Sequence, residues 1–154
     1  MEERCFEPRF FGCVGQDATL ARILNRLRGE SLALLGDFLA FCVCFEEDEE
    51  MEALFDRLAR RELEDFRLLA RLVQAMGGEG APRLQIRTRG CASESDPTRR
   101  GLSALYASLE RIRRFCCALE ELIVRAEDAV PRAALSYLLE RRRQSIEEIS
   151  ALVG

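Results

Sequence analysis

Two carboxylates three residues apart, Glu62 and Asp65, interrupt an otherwise apolar row of side chains, and an arginine, Arg142, interrupts a second such row far downstream. Carboxylates at i and i+3 share one face of a helix. There they can ligate a hard divalent cation or hold a guanidinium, whose planar fork matches a carboxylate. Ser31 and Ser145 break comparable rows with a hydroxyl. The chain has no histidine, which removes the imidazole ligand and the usual general base. Seven cysteines are present, but none forms a Cys-x-x-Cys pair. Cys42 and Cys44, two apart on a helix, point to nearly opposite sides, and the adjacent Cys116 and Cys117 also diverge. Small buried thiols are the favoured reading; the alternatives are a thiol site assembled between helices, or redox pairing with Cys5, Cys13 or Cys91. Tyr106 and Tyr137 could serve a metal centre by hydrogen bonding or as radicals, and without a metal are residues of the core edge. Of Arg141-Arg142-Arg143 only Arg142 is expected to face inward, the flanking pair being solvated partners of Glu147 and Glu148.

The elements that must position these residues follow from apolar spacing. Leu20, Leu24, Leu27, Ser31, Leu34, Phe38, Phe41 and Phe45 recur in alternating steps of four and three, the signature of one buried helical face. Asp17 or Thr19 can cap its start. The acidic run from Glu46 to Glu50 ends that helix and favours the start of a second, because carboxylates suit a helix N-terminus. The second stripe is Met51, Phe55, Leu58, Glu62, Asp65, Leu69, Leu72 and Met76, stopped by Gly77-Gly78. Residues 79–98, with Pro82, Gly90 and Pro97, read as a long connection, of a length expected only where the chain must travel. A third stripe runs Leu102, Leu105, Leu109, Ile112, Cys116, Leu119, Ile123. Pro131 suits a helix start, and the fourth stripe is Leu135, Leu138, Arg142, Ser145, Ile149, Leu152. The expected fold is all-α, an up-down four-helix bundle with a long crossover between helices two and three (residues 17–154), preceded by an irregular arm over residues 1–16.

The exceptions to the apolar seam fall at one height: Ser31, Glu62 with Asp65, and Arg142 with Ser145, opposite Ile112 on helix three. A lone buried charge is costly, so the two acids and the arginine need each other, a metal or water. The stretch Leu24-Asn25-Arg26-Leu27-Arg28-Gly29-Glu30-Ser31-Leu32-Ala33-Leu34-Leu35 resembles the first helix of bacterioferritins and related bacterial ferritin-like proteins. Glu62-Leu63-Glu64-Asp65-Phe66-Arg67-Leu68-Leu69, through Ala75-Met76-Gly77-Gly78, resembles their second helix and its ending. The resemblance runs over residues 19–152. It implies a di-metal bundle in which a glutamate on helices one and three and a Glu-x-x-His on helices two and four hold two iron or manganese ions. On that mapping the ligand positions carry Ser31, Glu62, Asp65, Ile112 (Arg111 if the register slips by one), Arg142 and Ser145. Only Glu62 keeps the ligand type. Asp65 is a possible oxygen ligand, and both histidines are replaced. A guanidinium cannot coordinate a cation, so Arg142 is expected to occupy the space of the ions and to pair with the acids.

The resulting expectation is a non-catalytic, ferritin-like structural or partner-binding bundle with no cofactor. The alternative is an iron- or manganese-binding oxidoreductase or iron-handling protein that uses Glu62 and Asp65, helped by outer acids such as Glu30 or Glu64. A third possibility is a small-ligand pocket beside Ile112. The expected partner is a second copy, as a dimer or larger oligomer held through Phe6, Phe10 and Phe11 of the arm, or a metal-competent ferritin-like relative. A net charge of −4, with arginines dispersed among acids, points away from nucleic acid. No apolar run reaches the roughly 18 residues of a membrane span. An acidic start without an apolar h-region does not read as a signal peptide, so a cytoplasmic location with reduced thiols is expected.

Overall fold

A computed structural model describes residues 18–77 and 96–154. The expected aromatic arm, the cap at Asp17 and most of the connection after Gly77 lie outside them. The described chain is all-α: α1 (Ala18–Cys44), α2 (Glu49–Ala75), α3 (Pro97–Arg125) and α4 (Ala129–Val153), with no strand among the described residues.

The helix ends are chemical. Asp48 caps α2, its carboxylate accepting from the Met51 N–H at 3.2 Å, with Glu49, Glu50 and Glu52 in the first turn where the helix dipole favours them. At the other end Gly77 takes a positive φ of 76° and donates its N–H to the Gln74 carbonyl, a conformation that glycine adopts without strain. Asp96 caps α3 through the Thr98 N–H, and Pro97 sits in its first turn. Pro97 and Thr98, read from the sequence as part of the connection, therefore belong to α3. Asp128 precedes α4, which puts Pro131 in the first turn, where its missing N–H has no intrahelical partner to lose.

Packing is closest within two hairpins, α1 with α2 and α3 with α4, while α1 also meets α3 and α2 meets α4. At the turn joining α1 to α2 the rings of Phe38, Phe41 and Phe45 gather around Phe55, centroids 4.9–6.0 Å from it. One apolar core, in which Leu24, Leu69, Val73, Leu119, Leu135 and Leu138 are fully enclosed, runs through all four helices. The predicted stripes face the core, with Phe41, Ile123 and Leu152 only partly buried against it, and with one correction. Leu102 is 39% exposed, and the neighbouring Gly101 instead faces Met51 of α2. A strict four-three repeat drifts around a straight helix, and at the start of α3 that drift carries Leu102 off the core.

The cysteines depart from the expectation of small, buried, reduced thiols. Among the free thiols Cys116 is buried, but Cys42 is half-buried and Cys117 exposed, and Cys44 is exposed and disulfide-bonded. No helix among the described residues is long and apolar enough to cross a membrane.

Candidate functional site

The seam residues converge on α2 and α4. Glu62, Asp65 and Arg142 are each 2% exposed, Ser31 and Ile112 are fully enclosed, and Ser145 is 4% exposed. Arg142 donates through both terminal nitrogens to Glu62: Nη2 reaches Oε1 at 2.6 Å and Nη1 binds Oε2. Ser31 donates its hydroxyl to the same Oε1 at 2.5 Å, so α1, α2 and α4 are tied through one carboxylate. The Arg142 guanidinium lies 4.1 Å from the centroid of the Phe115 ring, one turn beyond Ile112 on α3, an attraction that strengthens when water is excluded. A bidentate guanidinium–carboxylate pair is the strong form of a charge-assisted hydrogen bond.

Asp65 is held differently. Its Oδ1 accepts from Arg141 Nε at 2.6 Å, while Oδ2 stands 3.7 Å from Arg142 Nε, too far for a hydrogen bond. Arg141 also donates to Glu64 at 2.6 Å and, at 3.3 Å each, to the Arg61 carbonyl and the Tyr137 hydroxyl. The expectation that Arg141 is a solvated flanker is thus overturned: its side chain is 14% exposed and is the main partner of Asp65. Arg143 is exposed but pairs with Glu120 of α3. Glu148 pairs with Arg61 and Arg57 of α2. Ser145 does not join the Glu62 centre either; it accepts from Arg61 Nη1 at 2.8 Å and donates to the Arg141 carbonyl at 3.2 Å. Arg61, Arg141 and Phe115 are the residues that seam spacing missed. Each sits one position beside a seam residue, and Arg61 and Arg141 reach inward on long stems.

The electrostatics follow from burial. Desolvation raises the Asp65 carboxyl to about 6, with Glu62 pushing the same way, while Arg142 and Arg141 pull against it. Desolvation opposes the charge of Arg142, but Glu62, by charge and by hydrogen bonding, together with Asp65 outweighs it and raises its pKa. Burial also raises the thiol of Cys116, against the pull of Arg142.

As a metal centre the donor set does not fit. Both oxygens of Glu62 are taken by Arg142 and Ser31, Asp65 faces two arginines, and Glu64 is committed to Arg141. Among the described residues no three His, Cys, Asp or Glu side chains are grouped to hold an ion. A guanidinium that stays protonated also repels any cation at this point. Of the two tyrosines expected at the core edge, Tyr137 is partly buried against the core, whereas Tyr106, 57% exposed, lies outside it. Arg111 is bound to Asp37 of α1.

No protein-family model matches the chain, and no curated protein matches it.

Proposed function

We propose that this chain is a ferritin-like four-helix bundle that has exchanged its di-metal centre for an internal arginine–carboxylate network, and that it acts as a non-catalytic structural or partner-binding scaffold. The observation that carries the reading is the two-pronged contact of Arg142 with Glu62, both 2% exposed, at the positions where the resemblance puts metal ligands. The covalently attached cation does the work the ions would do: it compensates the buried acids and ties the helices at mid-height.

Helix directions support the ferritin-like topology. Arg57 and Arg61 of α2 meet Glu148, Glu62 meets Arg142, and Glu64 meets Arg141, so α2 and α4 run antiparallel. Gly101 near the start of α3 lies beside Met51 near the start of α2, while Arg111 meets Asp37 of α1, so α3 runs against α1 and along α2. The end of α2 and the start of α3 then stand at opposite ends of the bundle, the arrangement that a long crossover serves.

Elemental analysis of protein expressed with iron and manganese tests the proposal. The expected content is far below one ion per chain, since a hard cation site takes about six oxygen ligands. Stoichiometric metal that disappears in Glu62→Ala would replace the scaffold reading with the iron- or manganese-binding one.

A further inference from the structure

Cys44, the last residue of α1, is exposed and disulfide-bonded. Its partner follows from elimination and reach. The chain has seven cysteines, and Cys42, Cys116 and Cys117 are free thiols. The bond therefore joins Cys44 to Cys5, Cys13 or Cys91.

Helix α1 sets the distance for the first two. Ala18 and Cys44 are the first and last of its 27 residues, about 39 Å apart at a rise of roughly 1.5 Å per residue. Cys13 lies five residues before Ala18, and that much extended chain reaches at most about 18 Å. A disulfide adds about 6 Å between Cα atoms, so Cys13 falls well short. Cys5, thirteen residues before Ala18, arrives only by running back along the whole helix, and ordering so long a segment is costly.

Cys91 starts from the right end of the bundle. Arg111 of α3 meets Asp37 of α1, and Cys44 is two turns on from Asp37, on the same face toward α3. Asp96, the N-cap of α3, stands about 22 Å from Arg111 along that helix, and Cys44 about 10 Å from Asp37 along its own. Asp96 is then about 12 Å beyond Cys44 in height and, across a helix spacing of roughly 10 Å, about 16 Å from it. Cys91 lies five residues before Asp96, and its reach of about 18 Å with the bond itself covers that gap. The free thiol nearest in sequence, Cys42, does not compete. Burial and the carboxylates Asp56 and Glu52 raise its pKa, which keeps it protonated and slow in exchange.

We propose that Cys44 is bonded to Cys91, and that this exposed bond is a redox-operated staple fastening the chain before α3 to the end of α1. A dithiol opens it by thiol–disulfide exchange. One thiolate attacks a sulfur of the bond and releases the other cysteine as a thiolate; the second thiol of the reductant then attacks the mixed disulfide and releases the second cysteine. The protein gains two thiols and the reductant leaves as its own disulfide. Exposure of Cys44 admits the attacking thiolate. The staple goes beyond the scaffold reading and is independent of how the buried centre is filled: metal content tests one and thiol mapping the other.

The test uses the full chain, equilibrated with oxidised glutathione, alkylated and cleaved after arginine. Cleavage leaves Cys44 in peptide 29–57 and puts Cys5, Cys13 and Cys91 in the separate peptides 5–9, 10–22 and 90–99. Mass spectrometry should find 29–57 joined to 90–99, a species kept in Cys42→Ser and lost in Cys91→Ser. Dithiothreitol should lower the thermal midpoint of the native chain by roughly 10 °C, the loss expected on opening a loop of about 50 residues, and should leave that of Cys91→Ser unchanged. Joining of 29–57 to 5–9 or 10–22, or a free Cys44, overturns the pairing. A native midpoint indifferent to dithiothreitol overturns the staple.

Discussion

Truncation of Arg142 to alanine gives the most direct reading of the buried centre. In the native chain Glu62 receives two guanidinium nitrogens and the Ser31 hydroxyl, whereas Asp65 keeps Arg141 at 2.6 Å whatever happens at position 142. The loss therefore falls mainly on Glu62, a 2% exposed carboxylate left with one hydroxyl in place of a counter-charge. Breaking a buried pair by removing one partner costs about 3–5 kcal/mol, and the lost contact with Phe115 adds to it in the same direction. The sign of the pH dependence follows from Asp65. Its folded-state pKa, about 6, lies above the roughly 3.9 of the unfolded chain. Over that interval the folded state holds more protons, so the native protein loses stability from this group as pH rises from about 4 to 6. Removing Arg142 deletes the charge that pulls this carboxyl down and extends the window upward. The variant should accordingly be hurt more at pH 7 than at pH 5. Urea unfolding followed by circular dichroism at the two pH values measures the difference. Joint replacement of Glu62, Asp65 and Arg142 by apolar side chains of similar volume should cost much less than Arg142→Ala alone. A neutral Arg142→Ala at pH 7, or a loss that is larger at pH 5, would refute the buried-network account.

Two further substitutions probe the supports of this centre. Ser31→Ala removes the hydroxyl that binds α1 to Glu62 at 2.5 Å; the expected loss is about 1.5–3 kcal/mol in the same assay, the worth of a hydrogen bond to a charged group, and an unchanged urea midpoint would mean that Ser31 holds nothing. Phe55→Ala should cost about 3–5 kcal/mol, because this fully buried ring meets Phe38, Phe41 and Phe45; a loss under about 1 kcal/mol would show that the hairpin end closes without it.

Sequence spacing by itself determined which face each helix buries. A buried helical face recurs every three or four residues whatever its neighbours are, so Ser31, Glu62, Asp65, Ile112, Arg142 and Ser145 could be placed in the core before any packing was known, and all six are buried. Helix starts and stops were equally local, since Asp48 and Gly77 act on the backbone within a few residues. Partner choice was not local. Arg141 and Arg61 stand beside the seam, and only the separation of α2 from α4 decided that their stems are long enough to bring Arg141 to Asp65 and Arg61 to Ser145. That separation also set Arg142 square to Glu62 and left its Nε 3.7 Å from Asp65. The exposure of Leu102 was likewise decided by where the first turn of α3 meets Met51. Periodicity assigns a residue to a face, but the pairing of two charges depends on the distance and angle between helices, and that is a property of the packed structure alone.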